Sequence, residues 1–211
     1  FMGAPFLANS QVGFFYPLNW PLWLLLPTPY AVSATILLHL AIAAVGSYLA
    51  GRRMLVLGRW AALLTAVSFT LSGYVTAQVE HVNQLQGMAW LPWFFVVMGD
   101  WQRGDWRLEI RRAWWMALLF ALQLLAGHTQ TTFITIIGLG VVLITQYAAR
   151  KMQPRRTVYQ IAAFGIGGLA ALALTAVQLL PTLELSQLSS RQGGLGLNEV
   201  LSFSWHPLLA T

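Results

Sequence analysis

The chain has 211 residues, of which 57% are hydrophobic and only 9% charged, with a formal net charge of +6 and no cysteine. A soluble domain carries roughly 25% charged residues, so long apolar runs with scarce charge place this chain among membrane proteins. The lack of cysteine excludes disulfides and thiolate metal sites.

The chain starts at Phe1 in mid-pattern and stops at Thr211 without a closing element, so it reads as a fragment of a longer protein. The stretch FFYPLNWPLWLLLPTPY, residues 14–30, contains Pro17, Pro21, Pro27 and Pro29. Proline removes a backbone donor and clashes one turn back, so this stretch predicts one or two short helical pieces in the membrane interface, not a span. Such pieces either roof a lipid-facing groove or simply connect.

A hydrocarbon core of about 30 Å takes about 20 helical residues to cross. Six segments meet or approach that length: 31–50, 60–79, 85–101, 113–126, 131–149 and 158–180, the last ending at Pro181. The predicted fold is therefore all-α, a single polytopic transmembrane domain over 1–211. It has an interfacial segment over 1–30, about six spans over 31–180, and the start of an outer loop over 181–211.

Arginine and lysine orient the spans. Eleven of the twelve fall on alternate loops: Arg52, Arg53 and Arg59; then Arg103, Arg107, Arg111 and Arg112; then Arg150, Lys151, Arg155 and Arg156. The positive-inside rule makes loops 51–59, 102–112 and 150–157 cytoplasmic. Residues 1–30, 80–84, 127–130 and 181–211 are then outside. Nucleic acid is excluded as a partner, because these charges are topogenic and lie next to anionic lipid. Trp20, Trp23, Trp90 and Trp93 fall near the outer boundary; Trp60, Trp101, Trp106, Trp114 and Trp115 fall near the inner one, where indoles prefer to sit.

The outer face collects the groups able to do chemistry. AQVEHVNQLQ, residues 77–86, supplies Glu80, His81, Asn83 and Gln84. The short turn GHTQ supplies His128 and Gln130, and the first segment supplies Asn9, Ser10 and Gln11. Glu184, Glu199, His206 and Arg191, the one outer cation, follow. Glu80 and His81 also fit a plain loop in water, and His128 also fits a turn cap. Their clustering favours a site, because polar groups near hydrocarbon are costly unless paired or functional. His39 lies inside the first span and suits a hydrogen bond within the bundle. Gly165, Gly167 and Gly168 suit close packing of the last span, since no strand precedes them as a dinucleotide loop requires. Asp100 and Asp105 read as solvated partners of nearby arginines. No His–Glu–x–x–His pattern is present, so no metal site is assigned.

The blocks PFLANSQVGFFYPLN, LSGYVTAQVEHVNQLQGMAWLPW, LLAGHTQTTF and LLPTLELSQLSSRQGGL, in this order, resemble the bacterial YfhO-like membrane protein family, grouped with the GT-C superfamily of glycosyltransferases. The resemblance implies a bacterial cytoplasmic-membrane protein with further spans. It implies transfer of a sugar from a polyprenyl-phosphate carrier to an extracytoplasmic cell-envelope acceptor. It also implies an acidic catalytic residue in the first outer loop, expected upstream of Phe1, so Glu80 is not appointed in its place. It allows a divalent metal without defining one. Under this reading Asn9, Gln11, Glu80, His81, Asn83, Gln84, His128 and Gln130 line the sugar or acceptor pocket. Arg191 binds the carrier phosphate, for which arginine's planar fork is suited. Two other classes compete: a transporter or flippase of lipid-linked precursors, disfavoured by the lack of a visible repeat, and a non-catalytic scaffold.

Overall fold

The computed structural model describes residues 5–99, 106–149 and 154–188, together with Gly194, Gly196, Asn198 and Leu201; for Trp106 and 154–156 only the backbone is described. Within these residues all regular structure is helical. In chain order the helices are α1 (Asn19–Leu25), α2 (Thr28–Arg53), α3 (Arg59–Thr70), α4 (Gly73–Ala77), α5 (Val82–Ala89), α6 (Leu91–Met98), α7 (Trp106–Leu125), α8 (Thr129–Ala148), α9 (Pro154–Leu174) and α10 (Ala176–Gln187), with single 3₁₀ turns at Ser10–Val12 and Gln78–Glu80.

Small residues build the first hairpin. On α2 the buried positions Ala31, Thr35, His39, Ala43, Ser47 and Gly51 recur every four residues, and on α3 Ala62, Ala66 and Thr70 do the same. Rows of this spacing form the packing ridge of a helix, and small side chains let two backbones approach where no water drives association. At the crossing, a Cβ on Gly51 would stand 3.3 Å from the Ala62 Cα. Large apolar side chains point the other way: Leu37, Val45, Leu64 and Val67 are exposed. Small inside and large outside suits helices bathed in lipid.

α7 is the central helix. Ala113, Met116, Ala117, Leu119, Phe120, Ala121, Leu122 and Gln123 are all buried. Phe120 stacks on Phe94 of α6 at 4.6 Å and on Phe164 of α9 at 5.3 Å, between ring centroids. Of the three glycines on α9, only Gly167 works as a contact: a Cβ there would come within 2.7 Å of the Met116 Cβ, whereas Gly165 and Gly168 face open space. α6 is locked to α2 in a similar way, with the Trp93 indole N–H donating to the Ile42 carbonyl at 3.0 Å over Gly46.

Among the described residues four helical stretches are long and apolar enough to cross a membrane: Thr28–Arg53, Arg59–Glu80, Thr129–Ala148 and Thr157–Leu174. Three of the six predicted segments differ. Segment 85–101 is divided at Trp90 into α5 and α6, because Pro92, without an N–H, is accommodated in the first turn of a new helix. The segment predicted at 113–126 begins seven residues earlier, at Trp106, so residues 106–112 are helix and not loop. Its first turns carry Arg107, Glu109, Arg111 and Arg112, too much charge for a uniformly apolar span. The last predicted span also ends early. The helix breaks at Thr175, whose hydroxyl donates back to the Ala171 carbonyl at 2.8 Å, and α10 then runs through Pro181. The predicted interfacial pieces correspond to α1, which is largely exposed.

Candidate functional site at the loop end

One end of the bundle gathers the turns between helices. The 3₁₀ turn at Ser10–Val12 lies against the α7–α8 turn: the Ser10 hydroxyl donates to the Gly127 carbonyl at 3.4 Å. Gly127 has φ +89°, and a Cβ on it would sit 2.0 Å from the Ser10 carbonyl oxygen, so only glycine fits this approach. The Gln86 amide of α5 donates to the Asn19 side chain at 2.5 Å, and Asn19 donates in turn to the Gly13 carbonyl at 3.2 Å. From α10, Gln178 donates to the Leu7 carbonyl at 3.0 Å and Thr182 to the Ala8 carbonyl at 2.8 Å. Residues 7–19, 81–87, 126–131 and 178–182 are thus tied together. Here α10 does what a span ending at Pro181 could not, reaching over to hold the first segment.

Beneath this surface lies a buried polar chain. The Trp90 indole donates to the Tyr16 oxygen at 2.9 Å, and Tyr16 O is 2.7 Å from His39 Nε2. His39 Nδ1 lies 2.7 Å from the Thr35 carbonyl, which can only accept. Nδ1 therefore carries the proton, and Nε2 accepts from the Tyr16 hydroxyl. Burial pushes the Tyr16 phenol well above its ordinary range, partly offset by the bond from Trp90, so it stays a neutral donor. Beside it, the fully buried Gln123 donates to the Gly87 carbonyl at 3.0 Å and to the Thr135 hydroxyl at 3.1 Å.

The predicted site residues divide into four groups. His81 and His128 are neighbours: burial, and secondarily the electrostatic influence of His81, hold His128 below the usual histidine range. His128 Nδ1 is 3.0 Å from the Thr131 hydroxyl, and Glu80 lies 3.8 Å from His81, both of them well exposed. Asn9, Asn83 and Gln84 are used locally. Asn9 caps its 3₁₀ turn by accepting from the Gln11 N–H at 3.1 Å, and Asn83 accepts from the Gln84 N–H at 3.0 Å. Gln11 and Gln130 have exposed side chains at the same surface. Arg191, Glu199 and His206 lie outside the described residues, as do Asp100 and Asp105. No group of three His, Asp or Glu stands at metal-binding separation among the described residues.

Sequence reading missed Tyr16, Asn19, Gln86, Gln123, Gln178 and Thr182. Gln123 carried a signal, being a polar side chain in an apolar helical setting, FALQLL, where an unpaired amide is costly.

Facing the same cluster, Phe6, Val12, Gly13, Phe14, Asn19, Trp20, Trp23 and Leu24 line an aromatic hollow of ≈ 510 Å³. Gly13 and Asn19 belong both to the hollow and to the hydrogen-bonded network.

Spanning-length helices, small-residue packing and lipid-suited outer surfaces define a multi-pass membrane protein with polar chemistry concentrated at one end. No protein-family model matches the chain, and no curated protein or solved structure matches it either.

Proposed function

We propose that the loop end faces the extracytoplasmic side of a bacterial cytoplasmic membrane, in a GT-C-like bundle of about six spans. There it serves in transferring a sugar from a polyprenyl-phosphate carrier to a cell-envelope acceptor. The observation that carries this reading is the junction of two unlike surfaces at Gly13 and Asn19. One is an apolar aromatic hollow; the other is a neutral hydrogen-bonding cluster built from the 7–19, 81–87 and 126–131 segments. A lipid-linked sugar is itself an apolar chain joined to a polar head, and it needs both surfaces side by side. The depressed His128 offers an unprotonated imidazole to a hydroxyl at neutral pH. Arg191 is the carrier-phosphate ligand in this reading, and Glu80 is not its catalytic base.

The test is transfer of label from a polyprenyl-phosphate sugar to envelope material by membranes carrying the full-length protein. Transfer is expected to fall in His128→Ala, and Arg191→Ala is expected to need more donor for the same rate. If the intact protein transfers no label but moves the labelled lipid across vesicles, the transporter reading replaces this one.

A further inference from the structure

A second groove, of ≈ 850 Å³, runs between α2, α6 and α7 from the opposite end of the bundle toward Trp90 and Leu122. Arg53, Arg111 and Arg112 line it, and Trp93, Trp115 and Leu122 are among its apolar walls. Arg112 is engaged by Glu109, both being almost fully buried, and Arg52 is turned away to donate to the Leu57 carbonyl. Arg53 and Arg111 are exposed, and no described acidic residue pairs with either. The base of Arg53 is held in place: a Cβ on Gly99 would come within 3.2 Å of the Arg53 Cβ and the Met54 nitrogen. From Arg111 to Leu122 the wall follows α7 for eleven residues, roughly 16 Å at the helical rise, about the depth of one leaflet of a 30 Å hydrocarbon core.

We infer that this groove holds an anionic phospholipid, its phosphate between Arg53 and Arg111 and one acyl chain along Trp115 and Leu122. Two guanidinium groups at one mouth match a phosphate. An apolar wall one leaflet long matches the attached chain and would have no counterpart on free phosphate. This inference does not rest on glycosyl transfer, because the arginine mouth of the groove lies at the end of α2 away from the loop cluster.

The experiment takes the full chain purified in detergent and counts retained lipid by native mass spectrometry, after exposure to phosphatidylglycerol, to phosphatidylcholine, or to phosphatidylglycerol with excess inorganic phosphate. Phosphatidylglycerol is expected to be retained preferentially and to resist phosphate. In Arg53→Gln/Arg111→Gln retention should fall roughly tenfold to thirtyfold, two surface arginines' worth of attraction. In the charge-matched control Arg52→Gln/Arg59→Gln it should hardly change. Leu118→Trp, which fills the groove and leaves every arginine in place, should also lose the lipid, and it decides the matter if the double variant does not fold. Equal loss in the control, displacement by inorganic phosphate, or undiminished retention in Leu118→Trp would overturn the assignment.

Discussion

At the loop end, polarity is carried by neutral groups that reach across the fold. Ser10 bonds to Gly127, Gln86 to Asn19, and Gln178 and Thr182 bond to the first segment. At the arginine end it is carried by charge that stays close to its own helix: Glu109 pairs with Arg112 three residues on, and Arg52 bonds five residues away. The difference follows from what each end must do. Amides and hydroxyls can be buried at modest cost once each finds a partner, so they can hold distant segments together. A guanidinium is expensive to bury, so most of the described arginines stay at the surface.

The largest expected effect would break this comparison at its one exception, the buried ion pair. Glu109→Ala leaves the Arg112 guanidinium buried without its carboxylate and should cost about 3–5 kcal/mol, read as a lowered unfolding midpoint in detergent. A value near zero would show that Arg112 is in effect solvated. Next comes the tightest contact of the loop end. Gly127→Ala forces a Cβ into the Ser10 carbonyl at a left-handed backbone position and should cost about 2–4 kcal/mol. Protease should then cut the 5–18 segment sooner, which an equal loss of stability elsewhere would not produce. Tyr16→Phe removes one hydroxyl and strands both the Trp90 N–H and His39 Nε2, for about 1–2 kcal/mol. A double-mutant cycle with His39→Ala should show that the two changes are coupled.

The smallest effect sharpens the comparison with pH. The fold favours neutral His128, whose ordinary value is 6.5. Its contribution is complete above that value and is lost as pH falls from there through the lowered pKa. Hydrogen exchange in the 126–131 turn should therefore quicken on acidification. His81→Ala should weaken that response without abolishing it, because burial is the larger cause. An unchanged exchange rate between neutral and mildly acidic pH would remove the His81–His128 coupling.

Much of the fold was legible because hydrophobic length and arginine placement are one-dimensional signals. Residues 31–50 and 131–149 are close to α2 and α8, and the turns near 80–87 and 126–131 meet the first segment. The hydrogen bond expected inside the bundle at His39 is made with Tyr16. What misled were local features whose cost depends on neighbours. Pro181 reads as a stop, yet α10 continues because Gln178 and Thr182 gain partners on residues 7 and 8. Arg111 and Arg112 read as loop, yet α7 starts at Trp106, and Glu109 can satisfy Arg112 only on a helix. Asn9 read as a site residue, yet its carbonyl oxygen is occupied by the Gln11 N–H.

By itself the sequence determined that the chain is helical and that it belongs in a membrane. Apolar run length and the cost of moving charge across lipid depend on composition alone. Only the tertiary structure decided which polar groups meet. That Asn19 reaches Gln86, that Tyr16 reaches His39, and that Arg53 and Arg111 share one groove all depend on how α2, α5, α6 and α7 cross, and small residues such as Gly46, against Trp93 and Pro92, and Gly99, against Arg53, permit that close approach.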